Sequence, residues 1–516
     1  MSRDVLIGID AGTSVIKAVA FSTDGDQLAV ASRDNSYRQL PGGGGEQNME
    51  RTCSDAAAAL KELADRVPDL GKRAVALAVT GQGDGTWLID GDGEPVHDGW
   101  LWLDARAATE AREIASSDGI AIIYETTGAG VNVCQMRTHL TWMKRHAPEL
   151  LQRATTAFHC KDWLYFRLTG ERATDPTEGV FTFGDFRTRD YAYEVLKALN
   201  LIDLKRFLPP IVDGAVTAHP LSDRAAEATG LPRGLPVCLG YVDVLCTALG
   251  GGLYDPEAEP GLTILGSTGM HMRFAKDADA VRLSPERNGY TMAFPGDAYA
   301  QMQTNMAATL NIDWLLDIAR EILSVNGLER DRRELLAGLD DRVLSARPGA
   351  ALFHPYISSA GERGPFVEPD ARASLTGLDQ SVGFFDLMRA VYEGLALSAR
   401  DCYSAMGPMP ADVRLSGGAA RSGAIRRILA SALGAPVRRV ERDEAGAAGA
   451  VMIAAVQQGL YPDIAACADA WVTPRLQDPE PPDLELGQIY DGLFDLFVET
   501  REQLAPVWSK RARLKS

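Results

Sequence analysis

The chain uses one short device twice. Val5-Leu-Ile-Gly-Ile-Asp10 is an apolar run that stops at Asp10-Ala-Gly-Thr-Ser14 and is followed by a second apolar run, Ile16 to Phe21. Roughly 250 residues later Leu262-Thr-Ile-Leu265 stops at Gly266-Ser-Thr-Gly269 and again enters an apolar run. A buried strand, a small-residue turn and a returning strand at both places imply two halves built on one plan. The 516 residues exceed what a single hydrophobic core serves, so two domains are expected. Gly250-Gly-Gly252, just ahead of the second opening, is a natural boundary, giving 1–251 and 252–516.

The local pattern places the rest. Thr23-Asp-Gly25 between apolar runs predicts a hairpin, and the run Gln27 to Ser32 completes an antiparallel meander. Gly42 to Gly45 reads as a flexible loop. Apolar residues at helical spacing predict a helix from Met49 to Val67, and Arg73 to Thr80 predicts a buried strand. The middle reads as mostly helical to about Leu201, with a break at Thr126-Thr-Gly128. Sheet pattern returns at Leu235 to Gly240. In open α/β sheets ligands gather at the carboxyl ends of strands, which makes Gly81-Gln-Gly-Asp-Gly-Thr86 a site candidate by position.

The turns carry chemistry. In Asp10-Ala-Gly-Thr-Ser14 the glycine lets backbone approach a ligand, successive N–H groups form an anion nest, and the Thr13 and Ser14 hydroxyls add donors. Asp10 repels phosphate but can hold the Mg2+ that accompanies a nucleoside triphosphate, through water. An ordinary hairpin turn is the other reading. Lys17 either reaches a phosphate or is a solvated charge. Gly266-Ser-Thr-Gly269 paired with the first turn gives two loops that close on one polyphosphate. Val413 to Ser422, a strand, a Gly417-Gly418 turn and a helix, leaves room for a flat base or ribose against backbone. In Glu444 to Ala454 small residues occupy most faces of a helix, which suits close packing near the cleft. Neither Gly-x-x-x-x-Gly-Lys-Ser/Thr nor a Gly-x-Gly-x-x-Gly after the first strand is present, which disfavours P-loop and dinucleotide folds.

The charge balance of -18 gives no field to gather nucleic acid or an anionic membrane, so any bound phosphate must be held locally. The one basic run, Lys510, Arg511, Arg513 and Lys515, reads as a solvated end. No apolar stretch reaches membrane-spanning length and the first residues lack the pattern of a secretory signal, so a cytoplasmic protein is expected. The seven cysteines are scattered without Cys-x-x-Cys or His partners and read as reduced and buried.

Taken in order, Ile7 to Ser14, Gly81 to Gly85, Leu101-Trp-Leu-Asp-Ala-Arg106, Gly240-Tyr-Val-Asp243, Gly266 to Gly269, Gly383 to Gly394 and Ser416 to Ser422 resemble the FGGY carbohydrate kinases of the actin and hexokinase superfamily. The resemblance implies an α/β fold of two actin-like, ribonuclease H-like domains with a ligand cleft between them. It implies ATP- and Mg2+-dependent phosphorylation of a hydroxyl on a small sugar or polyol, and a homo-oligomer. Asp243 matches the family's base, Asp10 the magnesium-side aspartate, Gly12, Thr13, Ser14 and Lys17 the first phosphate loop, Gly266 and Thr268 the second, and Gly417, Gly418 and Ala419 the adenosine turn.

Substrate contacts fall on Gln82, Asp84, Trp102, Asp104 and Asp243. Gln82-Gly-Asp84 departs from the Gln-Met-His usual in xylulose kinases and from the Arg-Glu pair of glycerol kinases. The loop through Trp87 looks most like the erythritol kinase branch. Asp84 can accept from two neighbouring hydroxyls, Trp102 offers an apolar wall, and Arg106 is expected to pair with Asp104. Cys134 and Gln135 either shape the pocket or fill core. Erythritol is the leading substrate, a pentulose or pentitol the alternative, and a non-catalytic actin-like ATP-binding protein a reading of another class.

Overall fold

A computed structural model of the chain describes residues 3–514. Strands β1 (Val5–Ala11), β2 (Val15–Ser22) and β3 (Gln27–Asp34) form the expected antiparallel meander. The apolar run of β1 is buried almost end to end, as a strand covered on both faces requires, and it pairs in parallel with β4 (Ala74–Gly81). The edge consists of β5 (Ala218–Pro220) and β6 (Pro236–Leu239), with β6 parallel to β4 and β5 antiparallel to β6. The strand order is β5-β6-β4-β1-β2-β3. Helix α1 (Met49–Arg66), capped by Asn48, packs against β2 and β3.

A second six-stranded sheet repeats the plan. Strands β7 (Gly261–Leu265), β8 (Gly269–Ala275), β9 (Tyr290–Ala293), β10 (Tyr299–Asn305), β11 (Val413–Ser416) and β12 (Val437–Arg439) lie in the order β9-β10-β8-β7-β11-β12. The meander β7-β8-β10 corresponds to β1-β2-β3, and β11 and β12 lie parallel beyond β7 as β4 and β6 lie beyond β1. The two short matches in the sequence therefore mark two copies of one sheet topology, each with one added edge strand. The sheets lie on either side of Gly250-Gly-Gly252.

Two helices join the halves. Helix α2 (Asp243–Gly250) follows β6, and α3 (Ala445–Gln457) comes from the far end of the chain yet packs on β1 and β4. Their backbones touch because the contacts are glycines. A Cβ on Gly449 would stand 1.9 Å from Cys246 O, one on Gly250 2.2 Å from Ala445 O, and one on Gly8 2.9 Å from Ala447 O. One core cluster runs from Leu6 and Cys238 through these helices to Leu262, Met272 and Phe274, so the halves share apolar packing. Farther along, Trp471 returns to the first sheet, 5.9 Å from the Phe21 ring.

The expectation of a flexible loop at Gly42 to Gly45 is corrected. Residues Gly44–Gln47 form a buried strand between Arg38–Leu40 and Gly99–Trp100. These glycines serve close packing: a Cβ on Gly45 would lie 2.1 Å from Leu103 Cδ1, and Leu101 N–H donates to Gly45 O at 3.0 Å. All seven cysteines are free; six are buried and Cys53 is half-buried. Lys510, Arg511 and Arg513 close the terminal helix Leu484–Arg513, and Lys515 lies outside the described residues. Among the described residues no helix is long and apolar enough to cross a membrane.

Candidate active site

The topology carries the carboxyl ends of β1, β4 and β6 to one place. Asp10 pairs with Thr80 and Ala11 with Gly81 across β1 and β4, while Val79 pairs with Leu239 across β4 and β6. The turns that follow hold Gly12 to Ser14, Gln82 to Asp84 and Tyr241 to Asp243. In the second sheet the same relation sets Ile264 beside Ser416, so Gly266 to Thr268 and Gly417 to Ala419 leave from neighbouring strand ends.

In the first loop Gly12 O accepts from Asn35 Nδ2 at 2.8 Å, and Thr13 is the hub of a small network. Thr13 Oγ1 donates to Gln82 Oε1 at 2.9 Å and accepts from Trp102 Nε1 at 2.8 Å. Gln82 Nε2 donates to Gln47 Oε1 at 2.7 Å. Ser14 is exposed at the turn. Lys17 is not a lone solvated charge: its ammonium is 2.8 Å from Glu444 Oε2, at the start of α3. Burial pushes the Asp10 carboxyl up to about 6, with Lys17 pulling it down and Glu444 pushing it up.

The second loop is closed by Thr309, whose N–H and hydroxyl both donate to Gly266 O, at 3.0 and 2.8 Å. Gly417 has φ +89 and a Cβ there would stand 2.5 Å from Leu265 O, so the Gly417-Gly418 turn is pressed on the end of β7. A cavity of about 580 Å³ is lined by Gly266, Thr309, Tyr392, Gly418 and Ala419, among others. The second loop and the proposed adenosine turn thus border one space large enough for a nucleoside. Thr268 lies on the exposed side of its turn.

Asp243 is the first residue of α2, and its Oδ1 accepts from Val244 N–H at 2.7 Å. Burial pushes its carboxyl up to about 8; Asp10 and Asp84 push the same way, and Lys161 opposes them. Asp243 therefore feels the charge of both Asp10 and Asp84. Asp84 adopts φ +53. Its Oδ2 accepts from Cys134 Sγ at 3.5 Å, while Oδ1 is buried without a partner. Burial raises its pKa against the pull of His159, Cys134, Arg137 and Arg363. Arg363 comes from the second half of the chain and is half-buried.

Trp102 is 44% exposed, which leaves its ring a free face. Asp104 is fully buried and its carboxylate is already engaged by Gly45 N–H at 2.8 Å and by Arg106 at 2.6 Å. Arg106 pairs with Asp104 as expected, and also with Glu46 at 2.9 Å over the Trp100 ring. Cys134 touches Asp84, whereas Gln135 spends its amide on Asn132 N–H, Arg137 and Gly130 O.

Behind the Gln82 to Asp84 loop lies a buried ionic cluster that the sequence reading does not single out. Lys161 Nζ stands 2.6 Å from both Asp162 Oδ1 and Asp175 Oδ1. Burial disfavours both charges, but the pair outweighs it: Asp162 is pulled down to about 2 and Lys161 is raised. Glu178 is pushed up to about 8 by burial, and its Oε2 is 3.2 Å from His159 Nε2. The one local signal was Asp175-Pro176, an N-cap followed by proline at the first helical position. Nothing in that signal points to a ligand.

Two family models cover most of the chain. Residues 5–250 match the N-terminal domain, and residues 261–458 the C-terminal domain, of the FGGY family of carbohydrate kinases. The chain belongs to the FGGY family of carbohydrate kinases. Its core of two like sheets is the actin-like ATPase fold, and kinases of this family use ATP. Among relatives, an erythritol kinase of Brucella abortus (strain 2308) is 50% identical over 510 residues, 99% of this chain and 98% of that protein. A xylulose kinase of Bacillus subtilis (strain 168) is 25% identical over 95% of each chain. The ligand-bound xylulose kinase of Lactobacillus acidophilus superposes with a TM-score of 0.88, at 21% identity over 99% of this chain and 100% of that one, which speaks to the fold.

Proposed function

We propose that this FGGY kinase transfers the γ-phosphate of ATP to a terminal hydroxyl of erythritol. The observation that carries the reading is Asp84, a buried carboxylate with one unpartnered oxygen, on a loop that shares its field with Asp243. An acceptor without a protein donor suits a substrate that is all hydroxyl donors, and a short linear polyol is one. The relationship to the Brucella abortus erythritol kinase supports the same substrate.

In this reading the polyol lies between Asp84, Gln82 and the exposed face of Trp102, with its terminal hydroxyl toward Asp243. Asp243 accepts the hydroxyl proton while that oxygen bonds to the γ-phosphorus, and the bond from phosphorus to the β-phosphate oxygen breaks to release ADP. Gly12, Thr13, Gly266 and Thr268 border the phosphates from both sheets, Lys17 stands at the first loop in its pair with Glu444, and the adenosine lies over Gly417, Gly418 and Ala419. Asp104 acts at one remove, by holding Arg106 and the Gly45 backbone beside the segment that carries Trp102.

Magnesium fits the donor set. Asp10 and Asp243 are hard oxygen donors whose pKa values are raised by burial, Asp243 also feeling the charge of Asp10, and a cation would favour their charged forms. Asp10 would hold the ion through water, and the ion when bound supplies charge neutralisation at the triphosphate. The same reading divides the chain at 251/252 into a polyol-binding and a nucleotide-binding half, and takes the enzyme to be a cytoplasmic homo-oligomer.

A panel of erythritol, glycerol, xylulose, ribulose and pentitols, assayed for ADP release, tests the substrate. Erythritol should give the highest kcat/KM, and a pentulose that outruns it overturns the assignment.

A further inference from the structure

Helix Pro176–Phe183 is buried along its whole length and begins on a tight cap. Asp175 accepts from the N–H groups of Thr177 and Glu178 at 2.9 and 3.3 Å. Two side chains of this first turn then leave the helix for the site. Thr177 Oγ1 accepts from Val242 N–H at 3.2 Å, one residue before Asp243. Glu178 Oε1 accepts from Asp84 N–H at 3.2 Å. One helical turn therefore holds the loop that carries the base and the loop that carries the polyol carboxylate.

The polyol loop needs such a hold. Asp84 at φ +53 is in the left-handed region, which costs a residue with a Cβ and persists only where its surroundings impose it. Gly83 shows how close the surroundings come. A Cβ there would meet Glu178 Oε1 at 2.6 Å and Val242 Cγ2 at 2.3 Å, so the polyol loop, the base's loop and Glu178 converge on one point.

Glu178 is not needed as a counter-ion for Lys161, which already has Asp162 and Asp175 at 2.6 Å each. Glu178 hydrogen-bonds the Asp84 backbone, and its Oε2 stands 3.2 Å from His159 Nε2 at ion-pair distance without hydrogen-bond geometry; the other ring nitrogen of His159 is 3.3 Å from Asp162 Oδ2. The outer oxygen of Glu178 thus lies against the buried cluster while its inner oxygen accepts from the loop.

We propose that Glu178 is a positioning residue for the polyol: by fixing the Asp84 backbone it sets the separation between the Asp84 and Asp243 carboxylates, and with it the polyol the pocket accepts. This rests on the reading of Asp84 as a polyol contact. The group that matters is an acceptor at the Glu178 Oε1 position, not its charge, so an amide serves as well.

The full-length enzyme is first assayed on the substrate panel, and KM and kcat are then measured on whichever polyol the wild type prefers. Glu178→Ala should raise the KM for that polyol by about 10- to 30-fold while the KM for ATP stays within about 2-fold. Glu178→Gln should keep the polyol KM within about 3-fold of wild type. Gly83→Ala, which drives a methyl into the same contact from the loop side, should reproduce the selective rise in polyol KM. An unchanged polyol KM in Glu178→Ala, equal rises for polyol and ATP, or a Glu178→Gln as impaired as the alanine variant would overturn the role. Should Glu178→Ala fail to fold, Gly83→Ala and Glu178→Gln decide: a wild-type polyol KM in Gly83→Ala refutes the proposal, and a selective rise there with Glu178→Gln near wild type supports it. A wild-type preference for a pentulose overturns erythritol alone and leaves the Glu178 comparison intact.

Discussion

The hydroxyl of Thr13 donates to Gln82 Oε1 across 2.9 Å, so the first phosphate loop and the polyol loop share one hydrogen bond. The same oxygen accepts from Trp102 Nε1. A hydroxyl that both donates and accepts here ties the nucleotide side of the site to two polyol contacts, and neither a methyl nor an amide of that size can replace it. Thr13→Val should lower kcat/KM for both substrates by about 10-fold, and Thr13→Ser should restore most of it. Initial-rate kinetics with each substrate varied in turn would check this. A loss confined to ATP would mean that the bond to Gln82 is incidental.

Asp243 stands at the start of α2 with one oxygen tied to Val244 N–H, which fixes the carboxylate without burying it in a salt bridge. Asp243→Asn keeps that acceptor and removes the basic site. Turnover should fall by about 10²- to 10⁴-fold, while ATP affinity measured by calorimetry changes little. Turnover near the wild-type rate would remove Asp243 from the mechanism.

The same carboxyl makes activity and stability run opposite ways with pH. Its pKa is held near 8 by burial, then by Asp10 and Asp84, against Lys161. As a base it works only when deprotonated, so kcat/KM should climb with pH up to about 8 and level off there. Stability has the other sign. Between about pH 4 and pH 8 the folded chain keeps a proton at Asp243 that the unfolded chain has released, so stability is lost as pH rises through that window. Glu178, also pushed up to about 8, adds to the slope. Asp243→Asn should therefore melt with the wild type near pH 4 and about 2–4 °C above it at pH 8. Thermal scans across that range would show a constant difference if the carboxyl were not strained by its surroundings.

What the sequence displays and what it hides follow from range. The meander, the strand Ala74–Gly81 and the second opening are local patterns of apolar runs and turn residues, and strands form where those patterns fall. The shared topology of the two sheets follows from the short likeness between Val5 to Ser14 and Leu262 to Gly269. Gly44 and Gly45 misled because glycine marks both mobility and close approach, and only the Leu103 side chain, distant in sequence, decides between them. Lys161, Asp175 and Glu178 were invisible as a group because their meaning lies in mutual distance. The motif around Asp104 suggests a substrate contact and the pairing with Arg106, whereas its partner Gly45 becomes apparent only once the chain has folded.

Lys17 and Glu444 form an ion pair at 2.8 Å between β2 and the first turn of α3, beside Asp10. Lys17 is 37% exposed and Glu444 14%, so the pair is partly solvated and contributes little to stability, on the order of 0–1 kcal/mol. Its consequence is for charge at the phosphate loop, since Glu444 neutralises the one ammonium that the loop offers a nucleotide. Glu444→Gln should free Lys17 and lower the KM for ATP about 2- to 5-fold, with the polyol KM unchanged. Lys17→Met should raise the KM for ATP by about 10-fold and shift the melting temperature little. Raising ionic strength should shrink the difference between Glu444→Gln and wild type, because the effect is electrostatic and partly exposed. If Glu444→Gln instead weakens ATP binding, Glu444 serves to aim Lys17 at the phosphates, and the pair guides the cation instead of withholding it.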